Sequence, residues 1–482
     1  MEQLTKRILA IVLIAVIGVG VGVTVWIFVA PYNWGAKDCP GAPSDITQDQ
    51  IIKIGIMGDL ERIHGESALY GAELAAYEIN SAGGVVVGGK TYYYGVTGEN
   101  TDEANPILDI TKGVAAAQRI INYKKVQFAI GGFRTEALLA YRDYFMDAGI
   151  PFMNTGAATP AFCQSVLDDY DTYKYFFQNN PINVSALAKE LITLCMTTSA
   201  VLSNPLSPFY PGFNVTRFAF VRENLEWTAG FTGAMIAVLT NATGTNPVIN
   251  MTYTGVNIAI PQDVGSTEMA SHWTTIQNAK AQIVIPIISG EAGLTFTNSY
   301  GAAKPNCSLI GINVMSQDGE YWSQTNGACE YGVTLESLIR TNKTSKTIAM
   351  WDAFVDRYDK TPIYTGVGSY DAVYQFNHVI NTTQSFNVEN IITGLEGLTW
   401  GNPLEGASGN TGFDSSHCTI EGWPYGVALA LQWFNGTKRL IPGVGIYPSD
   451  PYGGPTAQPA GSLVGMEPFR LPWWGIWDPT FP

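Results

Sequence analysis

From Ile51 onward, short apolar blocks alternate with amphipathic stretches. "IIKIGIMGDL", from Ile51, reads as a buried strand. "SALYGAELAAYEINSAGG" follows, with Ala68, Ala72, Ala75 and Ile79 on one helical face and glycines as the stop. "KTYYYGVTGEN" reads as a strand, "ANPILDITKGVAAAQRIINYK" as a helix and "VQFAIGG" as a strand. The alternation continues through "FAFVREN", "EWTAGFTGAMIAVLTN", "NPVINMTYTG", "HWTTIQNAKA", "QIVIPIISG", "SLIGINVMS" and "YGVTLES". This order predicts an α/β fold of parallel sheets covered by helices. A break near Tyr173 to Asn180, after one full set of units, predicts two such domains.

The ends read differently. "MEQLTKR" sets Lys6 and Arg7 before Ile8 to Ala30, a stretch without charge. As a helix it would span about 34 Å, enough for a bilayer core. The cations before it favour the N-terminus inside and the body outside. A cleavable signal peptide is the rival reading. Its apolar region is usually shorter, and Pro31 beside a cut after Ala30 is unfavourable. Lipid attachment at Cys39 is a weaker alternative, because Ala36-Lys37-Asp38 is not a small, apolar run. Residues 31–50 lack periodicity and read as a linker. Residues 443–482 form a Pro/Gly-rich extension with an aromatic end, apolar surface that should not stay bare in water.

Composition narrows the function. The chain has 482 residues, room for two cores, and a net charge of −15. That charge argues against nucleic acid, which needs Lys and Arg in excess. No nucleotide-binding glycine motif and no His-Glu-x-x-His is present, so neither a cofactor nor a metal is indicated. His64, His272, His378 and His417 have no metal spacing. The six cysteines suit an outside location. Cys307 and Cys329 precede successive strands, and a disulfide between them is expected. Cys163 with Cys418 is a second possible pair, and Cys195 reads as core. Sequons begin at Asn183, Asn214, Asn241, Asn250, Asn306, Asn342, Asn381 and Asn435, all in the part placed outside.

The best candidate site lies in "GGFRTEALLAYRDYFMDAGIPFMNTGAATP", Gly131 to Pro160. Two glycine-rich turns at strand ends carry Arg134, Thr135, Thr155 and Thr159. Thr135 and Thr159 stand at helix starts, where free N–H groups and the dipole favour an anion. Simple N-capping by the two threonines is the plainer alternative. For Arg134 it is a surface salt bridge.

These stretches, with "YFFQNNPINVSALAKELI", "GVGSYDAVYQFNHVI" and the late "GFDSSHC…ALQWFNGTKRL", resemble the type I periplasmic substrate-binding proteins, in the branched-chain amino-acid-binding branch. The resemblance runs from about Ile51 to Ile441. It implies two Rossmann-like lobes joined by three crossovers, near Gln178, Leu338 and Phe413, closing on a small solute. Lobe 1 would be 51–178 plus 338–413, and lobe 2 would be 179–337 plus 414–442. By the same resemblance the ligand meets Thr135, Ala157 and Thr159. His64 and Trp227 stand at the aromatic positions, and Ser289 and Gly290 follow "QIVIPII", with Glu291 beside them. Family members that bind amino acids hold the ammonium with an acid where this chain has Asn313; Asp318 and Glu320 come later. An amide, a carboxylate or a neutral polar ring would therefore suit the site as well as an amino acid.

The sequence reads as a membrane-anchored, extracytoplasmic solute-binding component of an ABC importer. Its partners would be a small solute, a membrane permease and, through Ile8 to Ala30, the bilayer. A receptor ectodomain or a surface structural protein on the same fold are the alternatives. An enzyme is disfavoured, since no catalytic constellation appears.

Overall fold

A computed structural model describes residues 31–179, 183–203, 215–240, 251–441, 463, 467 and 469–472. The apolar stretch Ile8 to Ala30 lies outside the described residues, and so does most of the C-terminal extension. Among the described residues no helix is long and apolar enough to cross a membrane. Residues 31–50, read above as a linker, fold against the first lobe. Trp34 and Cys39 are buried, and the Trp34 indole donates to the Lys124 carbonyl at 2.7 Å.

The first lobe runs β1 (Ile51–Gly58), α1 (Ile63–Ser81), β2 (Val85–Val87), β3 (Lys90–Asn100), α2 (Ile110–Gln118), β4 (Phe128–Gly131), α3 (Thr135–Asp147), β5 (Phe152–Asn154), α4 (Ala161–Asp168), α5 (Tyr170–Tyr173) and β6 (Phe176–Gln178). Its sheet has the order β2-β3-β1-β4-β5-β6. All pairings are parallel except that of β2 at the edge. Strands such as β1 and β4 read as unbroken apolar runs because helices bury both faces. Each fully buried Ile or Phe there contributes about 1.5–3 kcal/mol.

The chain then crosses to α6 (Val184–Ser203), β7 (Arg217–Glu223), α7 (Glu226–Leu239), β8 (Thr252–Ile260), α8 (Ser266–Asn278), β9 (Ile283–Ile288), α9 (Ala292–Ala303), β10 (Ser308–Asn313), α10 (Tyr321–Gln324) and β11 (Val333–Glu336). It returns to the first lobe, where Leu338 joins the core, for α11 (Thr347–Tyr358), α12 (Tyr364–Thr383), α13 (Val388–Glu396) and the small hairpin β12 (Leu404–Glu405) and β13 (Asn410–Thr411). It crosses a third time into β14 (Leu429–Phe434) and β15 (Thr437–Leu440). The second sheet has the order β15-β14-β11-β10-β9-β7-β8. Its β14 and β15 run antiparallel, so neither sheet is wholly parallel as the sequence suggested.

The third connection stays on lobe 1 beyond Phe413. Gln178 bridges to Cys418, and the His417 ring stacks on Phe177 at 4.0 Å. Part of the C-terminal extension covers the edge of lobe 2. Leu471 enters its core, Leu463 packs on Leu431 and Leu440, and the Arg470 guanidinium lies 4.4 Å from the Phe434 ring centre.

The expected Cys307–Cys329 disulfide is not formed; both are buried thiols. Cys307 packs with Phe296 and Tyr300, whereas Cys329 packs with Met315, Tyr321 and Trp433. Ile310 pairs with Val333, so Cys307 stands three residues before one member of that pair and Cys329 four before the other. Cys329 lies in a turn outside β11, and the chain there packs its thiol into a different apolar cluster from that of Cys307.

Candidate functional site

The carboxyl ends of the parallel strands of the two sheets face each other, the place where open α/β sheets bind ligands. Between them lies a cavity of about 60 Å³. At about 10–15 Å³ per water it has room for a handful of small groups. Its wall is mainly apolar. Phe133 and Tyr364 come from lobe 1, and Leu225, Trp227, Ile312 and Leu335 from lobe 2, with Arg134, Thr135, Ser289, Gln317 and Glu336 among the polar contributors. Polar contacts between the lobes hold them together around it. Arg134 donates to the Gln262 side chain, and Arg62 pairs with Glu291. The His64 Nε2 donates to the Ser289 carbonyl at 3.1 Å, and the Glu226 amide donates to Glu136 at 3.0 Å.

The glycines of the two turns are required by close approach. A Cβ on Gly131, at φ 131°, would lie 2.0 Å from the Met57 carbonyl oxygen. One on Gly156 would lie 1.8 Å from that of Gly132. The first turn therefore packs directly on the second, and a side chain at either glycine would push them apart.

Most backbone donors expected to grip an anion are already engaged by the protein's own acceptors. Glu103, fully buried, accepts from the Phe133 and Arg134 amides at 3.1 and 3.0 Å and from the Thr101 hydroxyl at 2.8 Å. Burial pushes its pKa up to about 7 against these donors. In lobe 2, Glu223 accepts from the Ser289 amide and hydroxyl at 2.8 and 2.6 Å and from the Gly290 amide at 2.7 Å. Burial raises its pKa as well. The Ala157 amide donates to Asn154 Oδ1 at 3.0 Å. Thr159 accepts the Ala161 amide at 3.4 Å, as a cap of α4 would.

The nine residues singled out from the sequence thus separate. Arg134, Thr135, Trp227 and Ser289 line the cavity together. Ala157, Thr159 and Gly290 stand behind it, and Gly156 and Ala158 reach the wall instead. His64 lies in the first turn of α1, stacked on Phe133 at 3.7 Å, and bridges the lobes. Burial lowers its pKa to about 3, so the ring is neutral. Asn313 points away from the cavity, its Nδ2 donating to Thr297 and to the Tyr321 hydroxyl at 2.9 Å.

Three contributors were not legible. Glu336 and Gln317 line the wall, and both Glu336 oxygens accept from Lys438 Nζ, at 2.9 and 3.0 Å. Tyr364 donates to the Gly156 carbonyl at 3.3 Å. The sequence signal for Glu336 was available, an acid ending an apolar strand, but it resembles any strand-end charge. Arg134 has the most chemical potential. It is 4% exposed, Nη1 donates to the Asn105 carbonyl at 3.1 Å, and Nε has no partner among the described residues. A buried unpaired guanidinium N–H beside an apolar cavity calls for an acceptor.

Comparison with known proteins decides the family. The family described as Periplasmic binding protein matches residues 52–420. The chain belongs to the periplasmic binding proteins. These are non-catalytic solute-binding transport proteins with periplasmic or extracellular binding domains, in a two-lobed α/β fold of type I. Among curated proteins no relative matches the sequence. Solved structures do. The branched-chain amino acid transporter substrate-binding protein of Streptococcus pneumoniae, in complex with isoleucine, is 17% identical with a TM-score of 0.61, over 80% of this chain and 97% of its own. A solute-binding protein of an ABC transporter from R. palustris, in complex with benzoate, is 16% identical with a TM-score of 0.60, over 82% and 96%. An ABC transporter substrate-binding protein of Desulfitobacterium hafniense, in complex with Leu, is 18% identical with a TM-score of 0.59, over 81% and 99%.

Proposed function

We propose that this periplasmic binding protein is the extracytoplasmic solute-binding component of an ABC importer. It takes a small solute with an apolar body and an acceptor end, a carboxylate or an amide. The observation that carries this reading is the apolar cavity between the lobes, beside the unpaired Nε of Arg134. Phe133, Trp227 and Tyr364 would cover the body of the solute, and Arg134 with Thr135 would hold its acceptor. An amino acid fits less well. The carboxylate in the wall, Glu336, is held by Lys438, so an ammonium would find no free acid there. A carboxylate without an ammonium, such as the benzoate of the R. palustris protein, suits the wall better than the isoleucine or leucine of the other two. Anchoring by Ile8 to Ala30 and delivery to a membrane permease belong to the same reading.

A thermal-shift screen of the chain from Pro31 onward tests it, with benzoates, short branched carboxylates, their amides and the branched-chain amino acids. A solute at a hundred times its Kd raises stability by about 2.7 kcal/mol. Carboxylates or amides should stabilise more than the matching amino acids. No response to any of them, in protein shown to be folded, would leave a structural role on the same fold as the better account.

A further inference from the structure

We propose that Cys163 and Cys418 form a disulfide that ties lobe 1 to the third connection between the lobes. Cys163 lies in the first turn of α4, directly after the turn Thr155–Pro160 whose Gly156 and Ala158 line the cavity. Cys418 lies in the connection that leads to β14. Gln178, at the end of β6, brings them together. Its amide donates to the His417 carbonyl at 2.9 Å, and its carbonyl accepts from the Thr419 amide at 2.9 Å, which fixes the backbone on both sides of Cys418. Its side chain accepts from the Cys163 thiol at 3.6 Å. Asn183 Nδ2 donates to the Cys418 sulfur at 3.2 Å, and the two thiols also interact with each other. His417 holds the segment further, through the Phe176 carbonyl at 3.0 Å and Glu396 at 3.0 Å. The other four cysteines lie in four separate apolar clusters.

Binding domains of this family are periplasmic or extracellular, and thiols brought together there oxidise. The oxidant is a small-molecule or protein disulfide. One cysteine sulfur attacks it, giving a mixed disulfide and releasing one thiol. The second cysteine displaces the other half, so an S–S bond forms. The two protons and two electrons lost by the cysteines leave with the reduced acceptor as two thiols. Cys163 and Cys418 are 6% and 3% exposed, so the exchange takes place while the chain folds, and the finished bond is shielded from reductants. The crosslink fixes the cavity turn to the hinge, because α4 and the third connection can no longer separate.

The full chain, produced in an oxidising compartment, is trapped with an alkylating agent under denaturing conditions and mapped by mass spectrometry without reduction. The expected result is one crosslinked peptide pair holding Cys163 and Cys418, with Cys39, Cys195, Cys307 and Cys329 alkylated. Recovery of both Cys163 and Cys418 as alkylated thiols overturns the proposal. This mapping needs no variant. As a second readout, unfolding and refolding in reductant should lower the melting temperature of the wild-type chain by about 5–10 °C. Cys418→Ala should start at the lower value and not respond to reductant. A reductant response that persists in Cys418→Ala also overturns it.

Discussion

The two lobes solve one problem with different residues. In each, the turn after the third strand of the order shared by both sheets, β4 or β9, presents backbone N–H groups at the start of a helix. In each, a buried glutamate accepts them. In lobe 1 it is Glu103, from the loop after β3. In lobe 2 it is Glu223, the last residue of β7, the strand that stands where β1 stands in lobe 1. The carboxylates thus come from non-equivalent strands, and Asp59, next to the position matching Glu223, accepts from the Ala104 amide instead. Convergence on the same bonds shows that these donors must be met, whichever strand supplies the acceptor. The lobes differ in what the turn leaves over. The lobe 1 turn adds a guanidinium, Arg134, while the lobe 2 turn adds Gly290. The guanidinium in the wall therefore comes from lobe 1, while lobe 2 contributes apolar wall and a carboxylate, Glu336, that Lys438 already holds.

Removing either carboxylate should give the largest effect. Glu103→Ala and Glu223→Ala each leave at least three buried donors without that acceptor, which should cost about 3–5 kcal/mol in denaturant unfolding. Millimolar acetate should restore part of that loss in both variants and leave the wild type unchanged. A variant that unfolds like the wild type would break the equivalence of the lobes.

Next comes pH. The Glu103 pKa in the folded chain, about 7, is above that of the unfolded chain, so the folded state holds a proton that the unfolded state has released. Its contribution is greatest below about pH 4.5 and is lost as pH rises toward 7. His64 acts oppositely. Its folded value of about 3 lies below the unfolded one, so stability rises with pH from about 3 to 6.5. Glu103→Gln should remove a decline on the order of 2–3 kcal/mol between pH 4.5 and 7. Thermal unfolding followed across that range checks it, and an unchanged profile would show that Glu103 carries the same charge in both states.

The smallest effect on stability and the sharpest on binding should come from Arg134. Arg134→Ala should weaken solute binding by about ten- to a hundredfold in calorimetry, the loss of one charge-assisted hydrogen bond. Arg134→Lys should recover part, since the planar fork is gone. Asn313→Ala should leave affinity unchanged, because its side chain faces Thr297 and Tyr321. Equal losses in Arg134→Ala and Asn313→Ala would erase the division of labour between the lobes.

Much of this architecture is written in local pattern. The strand "KTYYYGVTGEN" is β3 residue for residue, and the glycines of the opening turns stand where backbone meets backbone. Helix starts, buried strands and the family signature depend on neighbours within a few residues, and those neighbours can be read directly. The candidate wall was half legible for the same reason: Arg134, Thr135, Trp227 and Ser289 each sit at a strand-end turn.

The sequence alone determined the alternation of strand and helix, the division into two lobes and the turns that face each other, because period and turn chemistry are local. Only the tertiary structure decided which acceptor fills each turn. Glu103 meets amides some thirty residues away, and Glu223 meets others more than sixty away. It also decided which way Asn313 points, that Gln178 contacts both Cys163 and Cys418, and that Cys307 packs apart from Cys329. The physical reason is the same in each case. Long-range pairing is set by strand order and register and by how the loops between strands pack, which bring together residues far apart in the chain.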